Sequence, residues 1–153
     1  MSDNGSLTGN CAIRPLLEND LSAVMEIWLN TNIKAHSFIP KEYWTNHFPS
    51  VKEMLPQAEV YAYEDPQAHQ TVGFIGLTGN YIAGIFVKED VQSKGIGKQL
   101  LDYVKAIKSD LSLNVYQKNK RAIAFYQREQ FAIHAEDIDE ATGEKEFVMI
   151  WRQ

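Results

Sequence analysis

The chain predicts one mixed α/β domain, an α+β arrangement with a mostly antiparallel sheet of about seven strands and four helices. Three observations carry that expectation. Apolar runs of strand length at 60–64, 71–77 and 81–87 follow one another across short turns, which makes an antiparallel meander. An amphipathic segment at 98–108 then separates the third run from a strand at 111–116, and such a crossover produces a parallel pair. At 153 residues the chain fits one domain with a real core, expected over 11–153 behind a polar lead-in at 1–10.

Each element has a local reason. Residues 12–16 read as a first strand, with Pro15 suited to a sheet edge. Asn19 or Asp20 is placed to cap a helix carrying Leu21, Val24, Met25, Trp28 and Leu29 at helical spacing. Residues 31–40 connect it to a second helix from 41 to about 55, where Pro56 follows. Thr78-Gly79-Asn80 turns the meander back into its third strand. In 111–116, Leu111, Leu113 and Val115 share one face, and Ser112, Asn114 and Tyr116 the other. Asn119 caps a helix running to about 129, and strands at 131–135 and 146–151 form a hairpin around an acidic turn at 139–144.

Composition excludes several classes. Net charge is −5, which argues against a nucleic-acid-binding module, and the longest apolar stretch is far too short to span a bilayer. Residues 1–10 have neither the basic nor the apolar segment of a signal peptide. One cysteine, Cys11, cannot form an intrachain disulfide or a cysteine-rich metal cage, and suits a cytoplasmic protein. His47, His69 and His134 are too scattered for metal spacing, so no metal is expected. Charge is uneven, however: residues 86–128 hold nine Lys/Arg against four Asp/Glu, leaving six against sixteen elsewhere.

Within that basic stretch, Gln92-Ser93-Lys94-Gly95-Ile96-Gly97 lies between a strand and a helix. Free N–H groups and the positive end of a helix dipole converge there, which suits a phosphate or pyrophosphate. The loop is not a Walker phosphate loop, because Gln99 follows Gly97-Lys98 and Gln92 replaces the first glycine. Nor is it a dinucleotide fingerprint, because Leu100 stands where the third glycine belongs.

The Q-x-x-G-x-G pattern after Phe86-Val87 resembles the acyl-CoA pyrophosphate loop of the GNAT superfamily of N-acetyltransferases. The segment from Asn119 through Ala122 to Phe125-Tyr126 is similar to that family's N-x-x-A-x-x-F-Y stretch, and the element order agrees. The resemblance implies acetyl-CoA as co-substrate. Phe86 and Val87 would pair their backbone with its pantetheine arm. Gln92 and the N–H groups of Ser93, Lys94, Gly95, Ile96, Gly97 and Lys98 would hold the pyrophosphate, and the Lys94 and Lys98 side chains would either add charge there or simply be solvated. Asn119 would hydrogen-bond the pantetheine, and Ala122 would leave room beside it.

Asn119, Ala122, Ile123 and Tyr126 form one helical stripe, which would bring the Tyr126 phenol toward the thioester sulfur as an acid for the leaving thiolate. Attack by a primary amine, on a small molecule or a protein, also needs that amine deprotonated. Many family members carry a carboxylate on the strand before the loop, but 81–87 has none. His36, between the N-terminal helices and titrating near neutrality, is the catalytic candidate to test first. Asn114, at the expected strand splay, could orient an acceptor. Cys11 is not expected to act as an acyl-enzyme nucleophile. The competing reading is a non-catalytic CoA-binding or sensor domain, and dimerisation, common in the family, is left open by the sequence.

Overall fold

A computed structural model describes residues 12–153. The polar lead-in and Cys11 lie outside those residues, so the expectations for them have no structural counterpart here. The strands are β1 (Ile13–Pro15), β2 (Glu59–Asp65), β3 (Gln70–Thr78), β4 (Tyr81–Val87), β5 (Asp110–Tyr116), β6 (Ala132–Asp139) and β7 (Glu144–Arg152). The helices are α1 (Leu21–Ala35), α2 (Lys41–Met54), α3 (Ile96–Lys105) and α4 (Lys120–Arg128). Their order is the expected one.

The strands form one sheet in the order β1-β2-β3-β4-β5-β7-β6. All neighbours are antiparallel except β4 and β5. Pro15 is on edge strand β1, where a missing N–H costs no ladder bond. The sheet carries a separate core on each face. On one, Val24, Met25 and Trp28 of α1 and Trp44 of α2 pack with Val60 and Phe74. On the other, Leu100, Leu101 and Val104 of α3 pack with Ile75, Leu77, Leu111 and Leu113. The alternation read in β5 is therefore real: Leu111, Leu113 and Val115 enter the α3 side, while Tyr116 packs on the α1–α2 side. Each of these fully buried aliphatic side chains contributes about 1.5–3 kcal/mol of transfer free energy.

Several local expectations need correction. Asp20 does not cap α1 through its side chain. Its carboxylate accepts instead from the Leu17 N–H at 2.7 Å, from Arg14 at 2.6 and 3.1 Å, and from Thr71 Oγ1 at 2.9 Å. A nearly buried carboxylate needs charged partners, so this network takes precedence over the cap. α1 also runs to Ala35, five residues into the expected connecting segment, with His36 as its C-cap. α3 begins at Ile96, inside the glycine loop, because Gly95 at φ 83° starts it as a left-handed cap residue.

Candidate active site

The parallel pair β4–β5 is matched only at Tyr81 with Ser112 and Ile82 with Leu113. A register shift in the β3–β4 ladder skips Ala83, with Gly76 opposite Gly84 and Leu77 opposite Ile82. A bulge re-aims the strand at that point, and beyond it β4 and β5 diverge. The β4 edge from residue 83 to 87 therefore has no strand partner on its β5 side. A broad open cleft of about 2150 Å³ occupies the gap, lined from both faces of the sheet.

At one end of the cleft is the loop that follows β4. Lys88 N donates to Val72 O at 2.8 Å, a short 3₁₀ turn covers Glu89–Val91, and Lys34 of α1 pairs with Glu89. Ser93 (φ 68°) and Gly95 (φ 83°) both have left-handed backbone. Residues alternating in this way turn successive N–H groups toward one point, and the N-terminus of α3 lies just behind them. A Cβ on Gly95 would meet no atom within 4 Å, so its glycine is required by backbone angle rather than by space.

The side chains of the loop behave differently from their expected roles. Gln92 Nε2 donates to Val87 O at 2.8 Å, so the side chain braces the loop against the end of β4. Lys98 is bound to Asp102 at 3.2 Å and Glu129 at 3.1 Å and is not a free cation. Lys94 is exposed and has no ion pair among the described residues. Arg121, which the sequence reading did not single out, reaches from α4 to Ser93 Oγ at 3.3 Å. Its place in the first turn of α4 was visible, but nothing local could indicate which loop that turn faces.

The start of α4 closes the cleft. Asn119 Oδ1 accepts from the Ala122 N–H at 3.2 Å, the expected N-cap. Its Nδ2 lies 3.2 Å from His36 Nε2, across 83 positions of sequence. Because Oδ1 is the cap acceptor, Nδ2 is the donor, His36 Nε2 accepts, and the imidazole proton is on Nδ1. Any bond from Asn119 to pantetheine would use its remaining hydrogen or lone pair. Ala122 faces the cleft, and so does Tyr126 three residues past Ile123.

His36 does not titrate near neutrality. Its ring stacks on Trp44 at 5.3 Å and meets the edges of Tyr116 at 5.0 Å and Phe38 at 5.8 Å. Burial pushes its pKa down to about 4, against a weak upward pull from the Asn32 carbonyl. Nδ1 has no well-aligned partner. At neutral pH His36 is thus a neutral acceptor that holds Asn119, rather than a base of matched pKa.

Tyr126 is 9% exposed, among Phe125 and Phe131, and burial raises its pKa well above the usual phenol, helped slightly by Tyr81. It is therefore an un-ionised phenol at neutral pH, with an O–H to donate. Asn114 is the first β5 residue beyond the paired segment. Its Nδ2 donates to Glu146 Oε1 of β7 at 3.1 Å, which brings a carboxylate to the cleft. The acidic hairpin is partly engaged too: Tyr116 Oη donates to Asp139 Oδ2 at 2.6 Å, and Glu144 pairs with Lys118 at 3.2 Å.

The fold that holds this cleft has counterparts among known proteins. The acetyltransferase (GNAT) domain model matches residues 56–133, which spans β2 to the start of β6. The chain is 36% identical over 123 residues to the peptidyl-lysine N-acetyltransferase YiaC of Escherichia coli K12, covering 79% of this chain and 83% of that one. The chain belongs to the GNAT acetyltransferase family.

This GNAT domain is also 27% identical over 122 residues to the peptidyl-lysine N-acetyltransferase YjaB of the same organism, covering 80% of this chain and 82% of that one. The solution structure of apo YjaB from Escherichia coli superposes with a TM-score of 0.81 at 24% identity, over 91% of this chain and 95% of that one. A Salmonella typhimurium relative in fold, yncA, solved with acetyl-CoA, superposes at 0.63 with 14% identity, over 92% of each chain. The expected fold and the acetyltransferase reading both stand, and enzymes among the relatives favour catalysis over the binding-only alternative. Among the described residues no cluster of potential ligands could hold a metal ion, and no helix is long and apolar enough to cross a membrane.

Proposed function

We propose that this enzyme transfers the acetyl group of acetyl-CoA to the side-chain amine of a lysine in a peptide or protein, by direct attack in a ternary complex in the cytoplasm. One observation carries the reading: the unpaired β4 edge opens straight onto the loop of left-handed residues and the N-terminus of α3. Phe86 and Val87 then pair with the pantetheine amides as an added strand would. Backbone N–H groups from Ser93 to Lys98 hold the pyrophosphate, with Arg121 and Lys94 supplying positive charge. Gln92 keeps the loop in shape through Val87, and Asn119 and Ala122 form the wall of α4.

The Tyr126 phenol donates to the leaving sulfur. A thiol of pKa roughly 8–9 leaves more readily when its developing thiolate is hydrogen-bonded or protonated, typically a 10²–10⁴-fold effect. Peptidyl lysine as acceptor rests on the activity named for the two relatives and on the acidic surface beside Asn114. The test is thiol release from acetyl-CoA with peptides carrying one internal lysine and a blocked N-terminus, with mass spectrometry to locate the acetyl group. Acetylation at lysine Nζ is expected. Release restricted to free amino acids or polyamines would reject the peptide acceptor, and no release with any amine would reject the catalytic reading.

A further inference from the structure

The family pattern leaves the proton acceptor of this chain unassigned, since β4 carries no carboxylate. We propose that Glu146 of β7 fills that role, taking the proton from the acceptor ammonium so that the neutral nitrogen can attack; this rests on the peptide-amine reading above.

The argument begins with register. Tyr116 of β5 is opposite Glu146, and Glu146 is opposite Asp137 of β6. Directly opposed residues project to the same face, so Glu146 lies on the face of Tyr116, where the α1–α2 core meets the cleft. Asn114 fixes one of its oxygens at 3.1 Å. The other has no hydrogen-bond partner among the described residues, and no lysine or arginine there pairs with Glu146. Two carboxylates directly opposite on neighbouring strands destabilise a sheet. Without a cation of the protein's own, this pair suits one that arrives with the substrate.

The surroundings also prepare the carboxylate to accept. Burial is the main cause that raises the pKa of Glu146, and Asp139 and Asp137 raise it further against the Asn114 bond. Tyr43 of α2 and Tyr81 of β4 face the same group, and both have pKa values raised by burial and then by this carboxylate and Asp139. A lysine amine near pKa 10.4 is neutral in only about one molecule in 2,500 at pH 7. Each unit by which the carboxylate rises closes that gap tenfold. Glu146 takes the first proton, directly or through one water. The nitrogen then bonds to the thioester carbon, the C–S bond breaks, and the second proton of the nitrogen ends on the departing sulfur by way of Tyr126. Glu146 returns its proton to solvent.

Glu146→Gln keeps the Asn114 contact but cannot take a proton. Expected with a lysine peptide is a fall in kcat of about 10²–10⁴-fold and loss of the acidic limb of the pH–rate profile. With an electron-poor amine already neutral at pH 7, the loss should stay under about tenfold. Retention of the acetyl-CoA shift in a thermal melt shows that fold and donor site are intact. Equal losses for both amines, or an unchanged pH profile, overturn the proposal. Should that variant not fold, Asp137→Asn on the exposed edge strand decides: removing the opposed charge must move the acidic limb to lower pH, and a limb that stays put overturns the assignment. If the wild-type enzyme acetylates no amine, the functional reading itself has failed and Glu146 falls with it.

Discussion

Replacing His36 with phenylalanine should remove a specific pH dependence of stability. In the folded protein burial holds the imidazole near pKa 4, against an ordinary value of 6.5. The direction of the linkage is fixed by that difference. Above pH 6.5 both folded and unfolded states are neutral at this position, and the contribution to stability is fully present. Between 6.5 and 4 the unfolded state takes up a proton that the folded state refuses, so stability falls as pH falls. Below 4 both states are protonated and the loss is complete. The 2.5-unit gap corresponds to about 3 kcal/mol, or roughly 2–3 kcal/mol for a ring at the wall of an open cleft. For a domain of this size each kcal/mol moves Tm by about 2–4 °C. Urea unfolding of wild type and His36→Phe at half-unit steps from pH 7.5 to 4 supplies the measurement. The variant also lacks the Asn119 bond, which shifts its curve by a constant. The wild-type advantage should therefore shrink by about 2–3 kcal/mol between pH 6.5 and 4 and be flat above 7. Two parallel curves would refute the buried, neutral imidazole. The same placement means that His36 cannot produce an acidic limb near neutrality in the pH–rate profile.

Three further outcomes are expected. Tyr126→Phe should lower kcat by about 10²–10⁴-fold while leaving KM for acetyl-CoA within about threefold, because the phenol acts as donor only as sulfur leaves; full turnover at saturating substrate would dismiss its acid role. Gly95→Ala places a Cβ at φ 83°, at a cost of about 1–2 kcal/mol, so the loop should lose its shape and KM for acetyl-CoA should rise about tenfold; steady-state kinetics with unaltered KM would count against the loop as the pyrophosphate cradle. Arg121→Ala removes the cation that reaches Ser93, and KM for acetyl-CoA should rise about tenfold at low salt and less at high salt. A salt-independent effect would speak for a packing role instead.

Much of this enzyme was legible locally. Element order, the position of the glycine loop, the Asn119 cap and the two faces of β5 follow from short-range pattern, because strand alternation, helical spacing and turn chemistry are satisfied within a few residues. The placement of Tyr126 on the wall of α4 was legible for the same reason. The missing pieces are all pairings across distance. The Lys98 side chain read equally as added charge at the loop or as a solvated lysine until Glu129, 31 residues on, proved to hold it. Asp20 read as a cap until Arg14 and Thr71 claimed its carboxylate. Near-neutral titration of His36 was lost to the aromatic rings of α2 and β5 that bury it.

Sequence by itself thus determined the fold class, the position of the glycine loop and the place of the Tyr126 phenol on α4, since each is written in a contiguous motif. Tertiary structure alone decided which carboxylate reaches the cleft beside Asn114. Glu146 looks like one more acidic residue of a hairpin until the β5–β7 and β6–β7 registers set it beside Asn114 and opposite Asp137. Register depends on how whole strands pair, and a slip of one residue would turn that side chain to the other face of the sheet.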